Sequence, residues 1–257
     1  MNRYGILLLA AYLPIAGVRA EIVAGDQAFA AGEFERAYAE LLPIGHSNPL
    51  AAYYLGVMYI DGLGVARSTD FGVRWLTLAA LRGHTAAQLR LALAYQDGDG
   101  VQQDYTTAAQ WMTESALGGN AAAQYFLGQY YRDGLGVVQD DRMAFEWVNR
   151  SVEFGISHEH LLDAFFYLGS ACEWGRGLRQ DLTEAYKWYS LASGYSTNDT
   201  TMRNEAARAL GALRLRMNES QLAAAAQRAQ EWRDAKQRMN FGNGLASESD
   251  RTRASLY

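Results

Sequence analysis

A single cysteine, Cys172, stands in the 257 residues, so no disulfide can form within the chain. Stability therefore has to come from packing. Proline is nearly absent too, with three residues, while glycine is plentiful at 25. That balance suits helices that run unkinked and end in left-handed caps. Positive charge is in deficit: 23 lysines and arginines stand against 28 acids, a net charge of −5. The deficit lies in residues 21–198, which carry 11 basic and 21 acidic side chains. An acidic body argues against nucleic acid as the main partner, because phosphate contacts need a basic surface. Residues 199–257 are mildly positive, the ordinary charge of a solvated helix face. With 49% hydrophobic and 20% charged residues, the composition is globular rather than disordered.

Long apolar runs are missing as well: past the N-terminus none could span a membrane. The N-terminus itself reads as an export signal, residues 1–20. Arg3 gives a positive start, residues 6–18 are mostly apolar, and Val18-Arg19-Ala20 is a cleavage site with small outer residues. Pro14 and Gly17 break a run already too short for a spanning helix. No cysteine lies near the cut to take a lipid. The mature chain is expected to be periplasmic or secreted, after cleavage near Ala20.

What the sequence does have is a period. "YIDGLGV" at residues 59–65 returns as "YQDGDGV" at 95–101 and "YRDGLGV" at 131–137, with a worn copy "EWGRGL" at 173–178. Trp75, Trp111, Trp147 and Trp188 are spaced 36, 36 and 41 apart, and the loop glycines keep the same spacing. A fixed period of this length marks stacked helix pairs. Helix A of each pair carries Ala51, Leu55, Gly56 and Tyr59, then Ala87, Leu91, Ala92 and Tyr95, then Ala123, Leu127, Gly128 and Tyr131. These offsets share one helical face. Small residues at the Gly56 position let a neighbouring helix come close. Asn48-Pro49 and Asn120 are helix starts. Helix B opens on Ser68, Asp104, Asp140 and Asp181, all strong N-caps, with Glu184 placed to complete a capping box. Helix B closes on Gly83, Gly119 and Gly155. The Asp-Gly-x-Gly-Val stretch is then a joint between helices, its glycines supplying positive φ. A phosphate cradle would follow a strand, with Lys or Ser/Thr nearby. In "DGDG", a calcium loop counted from Asp97 would need a ligand at Ala108.

The pattern Ala-x-x-x-Leu-Gly-x-x-Tyr-x-x-Gly-x-Gly-Val, followed by Asp, Ala, Trp and a closing Gly, resembles the Sel1-like repeat family, a cousin of the tetratricopeptide repeats. The resemblance implies an all-α fold: a right-handed α-solenoid of stacked antiparallel helix pairs with C-terminal capping helices. The expected division is a degenerate first pair over 21–48, repeats over 49–84, 85–120 and 121–156, and an altered repeat with an insertion over 157–198. Capping helices over 199–239 and a flexible tail over 240–257 follow. In the altered copy Cys172 takes the Tyr position and reads as a packed apolar residue, and Trp174 replaces the loop aspartate. Asn218 with Gln221 resembles a capping box. A docking role for the C-terminal helices rests on arginines 208, 214, 216, 228, 233 and 238.

Chemistry is harder to find. His158 and His160 flank Glu159 near Asp163, but histidines two apart do not share a helix face, and zinc needs three or four ligands. The segment reads as a polar insertion loop. His46 and His84 follow glycines at pair boundaries and read as turn residues. No nucleophile and base are placed together. Some exported relatives are associated with penicillin binding or β-lactam cleavage, on disulfide-stapled arrays. This chain lacks those cysteines and a Ser-x-x-Lys motif. No catalytic residue, metal or cofactor is expected.

Helix pairs in a solenoid present helix A on the concave side. Positions one before, two after and six after the core leucine lie opposite the buried face. They are Tyr54, Val57 and Asp61; Arg90, Leu93 and Asp97; Phe126, Gln129 and Asp133; and Tyr167, Ser170 and Trp174. A merely solvated face would carry Lys, Glu and Gln. Aromatics rimmed by carboxylates suit a partner peptide or helix with basic residues. The expected function is a non-enzymatic protein-interaction scaffold in the bacterial periplasm, binding another envelope protein or peptide. The alternative is a peptidoglycan- or polysaccharide-binding module, and the third reading is a β-lactam or cell-wall hydrolase. The resemblance brings associations with polysaccharide export, flagellar motor assembly and wall or host contact, without choosing among them.

Overall fold

A computed structural model describes residues 13–195 and 200–242, and the described residues form helices and turns with no strand. The chain divides into two compact units at Gly118. The first holds α1 (Leu13–Ala30), α2 (Phe34–Leu41), a 3-10 turn (Leu42–Ile44), α3 (Pro49–Asp61), α4 (Thr69–Leu81), α5 (Thr85–Asp97) and α6 (Tyr105–Leu117). The second holds α7 (Ala121–Asp133), α8 (Asp141–Phe154), α9 (His158–Trp174), α10 (Leu182–Ser193), α11 (Thr200–Arg214) and α12 (Glu219–Gly242). The fold is an all-α solenoid of helix pairs, as the repeat implies. Residues 1–12 of the expected export signal and residues 243–257 of the expected tail lie outside the described residues.

The helix starts follow from their caps. Asn48 Oδ1 accepts from the backbone N–H of Leu50 and Ala51, and Asn120 Oδ1 accepts from Ala123. Ser68, Asp104, Asp140 and Asp181 do the same for α4, α6, α8 and α10. Each cap is worth about 1 kcal/mol. The capping box at Asp181 is only half made. Glu184 gives its N–H to Asp181, but its carboxylate turns to Lys187 and Arg228. The box at Asn218 and Gln221 is reciprocal, at 2.9 and 3.0 Å.

The joints repeat in detail. Gly62, Gly98, Gly134 and Gly175 end their helices in the left-handed region. The cap residue after each loop reaches back, so that Ser68, Asp104, Asp140 and Asp181 donate their N–H to Tyr59, Tyr95, Tyr131 and Cys172. A second clasp was not foreseen from the sequence. Arg67, Gln103, Gln139 and Gln180 each donate a side-chain N–H to the carbonyl seven residues earlier, at 2.9, 2.7, 2.9 and 2.7 Å.

Packing explains the small residues. A Cβ on Gly56 would lie 2.8 Å from Leu76, one on Gly128 2.5 Å from Val148, and one on Gly169 2.8 Å from Tyr189. Leu55, Leu91, Leu127 and Leu168 are fully buried. Trp147 and Trp188 are buried, whereas Trp75 and Trp111 are half-buried. Cys172 lies in the core of the second unit, and burial pushes its thiol up to about 12, which makes it a packing residue.

The C-terminal helices cap the second unit. Trp232 sits edge-on to Phe165 at 5.1 Å, and four of the arginines, though exposed, reach residues of α9 and α10. Arg214 meets the Tyr186 hydroxyl, Arg216 meets Glu173, Arg228 meets Glu184, and Arg233 meets Ser190.

The segment expected as a polar loop is helical instead. The extra residues lengthen α9 to 17 residues, against 13 in α3, α5 and α7. Leu161 and Leu162 give the new turn an apolar side to pack.

His84 is the N-cap of α5, at the position held by Asn48 and Asn120 in the neighbouring copies. Its Nδ1 accepts from Ala87 N–H at 3.2 Å, and its ring stacks on Tyr53 at 4.6 Å. Burial holds its pKa below the ordinary histidine value. The folded chain thus binds this proton less readily than the unfolded chain. Its neutral form adds full stability above the unfolded value of about 6.5, and that contribution is lost as pH falls through and below it. Asparagine keeps the cap without titrating. In His84→Asn, the drop in melting temperature between pH 7 and pH 5 should shrink relative to the wild type. An unchanged drop would contradict this assignment.

Candidate functional site

The helix-A offsets bring two helices of the second unit face to face. Between α7 and α9 lies a groove of about 350 Å³. Tyr125, Gln129 and Arg132 line it from α7, and Asp163, Phe166, Tyr167 and Ser170 from α9. Val148 of α8, Arg176 of the following loop and Met202 of α11 complete it.

Most polar groups in the groove are already engaged. The Tyr125 hydroxyl donates to Asp163 at 3.5 Å, and its ring stacks on His160 at 4.9 Å. Burial, reinforced by the Asp163 charge, pushes the Tyr125 phenol up to about 12. Arg132 grips Asp133 through Nε and Nη2 at 2.8 and 2.7 Å, and holds that carboxyl below its usual range. The same guanidinium lies 6.0 Å from the centre of the Tyr167 ring. Ser170 hydrogen-bonds Tyr189, whose hydroxyl donates to the buried Glu173 at 3.1 Å.

Two groups are left over. The Tyr167 hydroxyl is buried and has no hydrogen-bond partner among the described residues. Burial, then the nearby Asp141 charge, pushes that phenol up to about 12, so it stays protonated and is a donor. Arg176 makes no ion pair among the described residues and is exposed on the groove wall. A buried donor without an acceptor costs about 1–3 kcal/mol, and the Trp147 and Trp188 indole N–H groups of the same unit are also buried without one.

The twelve sequence-predicted residues divide between the two units. In the first, the expected exposed aromatic is corrected: Tyr54 and Val57 are only 6% and 5% exposed. The cause is α1. Phe29 packs on Tyr54 at 4.6 Å between ring centres, and the Tyr54 hydroxyl donates to Asp26. Arg90 and Leu93 are half-buried, and Asp61 and Asp97 are exposed. In the second unit, Gln129, Tyr167 and Ser170 all line the groove. Phe126 is half-buried against Tyr125 and His160. Asp133 is exposed and pairs with Arg132 at 2.7 Å. Trp174 is 62% exposed beneath Arg216.

Sequence reading missed Tyr125, Arg132, Arg176 and Met202. One signal was present. Arg176 takes a loop position held by Leu63, Asp99 and Leu135 in the other copies. Among the described residues no three His, Cys, Asp or Glu side chains are grouped to hold a metal ion. No described helix is long and apolar enough to cross a membrane.

The Sel1 repeat profile matches residues 49–84, 85–120, 121–153 and 163–193, more than half of the chain. The chain belongs to the Sel1 repeat family. Sel1 repeats generally mediate protein–protein interaction, and the family is typically a non-catalytic scaffold. Among solved structures, it is similar to a Sel1 repeat protein from Oxalobacter formigenes. The identity is 26%, with a TM-score of 0.66 over 74% of each chain. It also matches c5321, a protective antigen of uropathogenic Escherichia coli strains with an SLR fold. Here the identity is 21% and the TM-score 0.47, over 83% of this chain and 51% of that one. No curated protein matches it.

The two tyrosines make opposite predictions for this Sel1 protein. Tyr167→Phe removes a hydroxyl with no partner, and should leave the unfolding free energy within about 0.5 kcal/mol of wild type or raise it. Tyr189→Phe strips a bond from a buried carboxylate, and should cost about 1.5–3 kcal/mol. Urea unfolding of both variants checks the pair, and equal costs would contradict it.

Proposed function

We propose that this protein is a non-enzymatic scaffold that holds a partner protein against its helix-A surface, with the α7–α9 groove as the anchoring pocket. The observation that carries the reading is the groove's leftover chemistry: a buried tyrosine donor and an unpaired arginine beside apolar walls. Protein interfaces concentrate their energy in such pockets, where aromatic and arginine side chains surround a seated residue. A groove of about 350 Å³ is near the lower bound of small-ligand sites, roughly 300–1,000 Å³. It suits one anchoring segment of a larger contact.

The compartment belongs to the same proposal. Residues 1–20 direct export, and the mature chain works in the periplasm of a bacterium, among envelope proteins. Cleavage near Ala20 falls within α1 and leaves Asp26 and Phe29 in place to cover Tyr54. Nothing in the groove resembles a nucleophile with its base, and the lone thiol is buried and protonated.

A photo-crosslinking residue placed at Gln129, on the groove wall, tests the reading in living cells. Glu146, exposed on α8, is the control position. The expected result is a crosslinked protein adduct from Gln129 and none from Glu146, recovered with the periplasmic fraction. Adducts of equal yield from both positions, or a cytoplasmic chain, would overturn it.

A further inference from the structure

We infer, building on the scaffold reading above, that the α7–α9 groove seats an acidic side chain of the partner, an aspartate or glutamate within a peptide segment flanked by apolar residues. The unspent groups in the groove are donors. Arg176 has no ion pair among the described residues, and the Tyr167 hydroxyl has no acceptor. Arg132 uses Nε and Nη2 on Asp133, which leaves Nη1 for a further acceptor. The acids nearby are committed. Asp133 is held by Arg132, and Asp163 accepts from Tyr125. Asp141 acts on Tyr167 only through space.

A carboxylate supplies what these donors lack. Charge-assisted bonds from a guanidinium and a phenol to one carboxylate are about twice as strong as neutral ones. The seat is partly dry, since Phe166, Val148 and Met202 form its apolar walls. That strengthens the bonds and gives a place to the apolar neighbours of the acid. The groove is a trough between helices rather than a closed cavity, so a segment can lie along it. The sign is opposite to the one expected from the aspartates on helix A.

The probe is an end-capped hexapeptide of alternating leucine and glutamate, compared with twins carrying glutamine or lysine in place of glutamate. Binding to the full chain is followed by calorimetry at two salt concentrations. The glutamate peptide should bind at least about tenfold tighter than its glutamine twin and weaken with salt. Arg176→Gln and Tyr167→Phe should each erase most of that preference, while Arg179→Gln, an exposed neighbour outside the groove, should keep it. Melting curves establish that each variant is folded. Absence of binding by the glutamate peptide, equal binding of the glutamine twin, or preference for lysine would overturn the inference. So would a preference that survives Arg176→Gln. The crosslink at Gln129 reads the scaffold proposal separately: an adduct there with no carboxylate preference sinks only the acidic-segment claim.

Discussion

Within each of the two units, a helix pair rests on the one before it through a glycine that has no room for a methyl group. A Cβ on Gly64 would stand 2.6 Å from the backbone of Phe34, one on Gly100 2.9 Å from Thr69, and one on Gly177 2.3 Å from Arg142 and Asp141. In every case the neighbour is backbone at the start of a helix, which cannot swing away as a side chain could. The same glycines hold φ between 66° and 73°, a region that L side chains rarely adopt. Two constraints therefore fix one residue, and the distance between successive pairs follows. The caps and the side-chain clasps at Arg67, Gln103, Gln139 and Gln180 tie down the remaining polar groups of the loop. The backbone of the joints is thus committed to holding the helices together, although an Asp-Gly-x-Gly string suggests phosphate or calcium at first sight.

Function then falls to the faces that stacking leaves open, and the two units differ there. In the first, α1 packs on α3 and covers Tyr54, and Val57 is buried as well. In the second, the elongated α9 stands opposite α7 with a trough between them, partly walled by Met202 of α11. Into it comes Arg176, from the very loop whose Gly177 makes the closest contact of all.

The fold was largely legible in the sequence because repetition multiplies weak signals. One Asp-Gly-x-Gly is ambiguous, but four copies in register with tryptophan and leucine are not. The N-caps and left-handed glycines sit at the expected positions because each satisfies a local need of the backbone. The site was half legible. Helical periodicity found Gln129, Tyr167 and Ser170, since angle around a helix is a local property. It failed at Tyr54, because a helix from outside the repeat covers that face, and no offset within a repeat can reveal this. It placed Asp133 on that face but not the adjacent Arg132, which pairs with it. The polar histidines and glutamate of residues 158–163 suggest a loop, whereas Leu161 and Leu162 are enough to extend the helix.

Gly177 offers the most direct measurement of the stacking constraint. Gly155 is its natural control: it also has positive φ, 87°, but a Cβ there would meet nothing within 4 Å. Both alanine variants bear the left-handed strain of about 1–2 kcal/mol. Only Gly177→Ala must also push the fourth pair off the start of α8, at a further cost of about 1–3 kcal/mol. Urea unfolding should therefore show Gly177→Ala less stable than Gly155→Ala by that margin. Equal losses in the two variants would mean that the close approach does not set the spacing of the pairs, and would contradict the account.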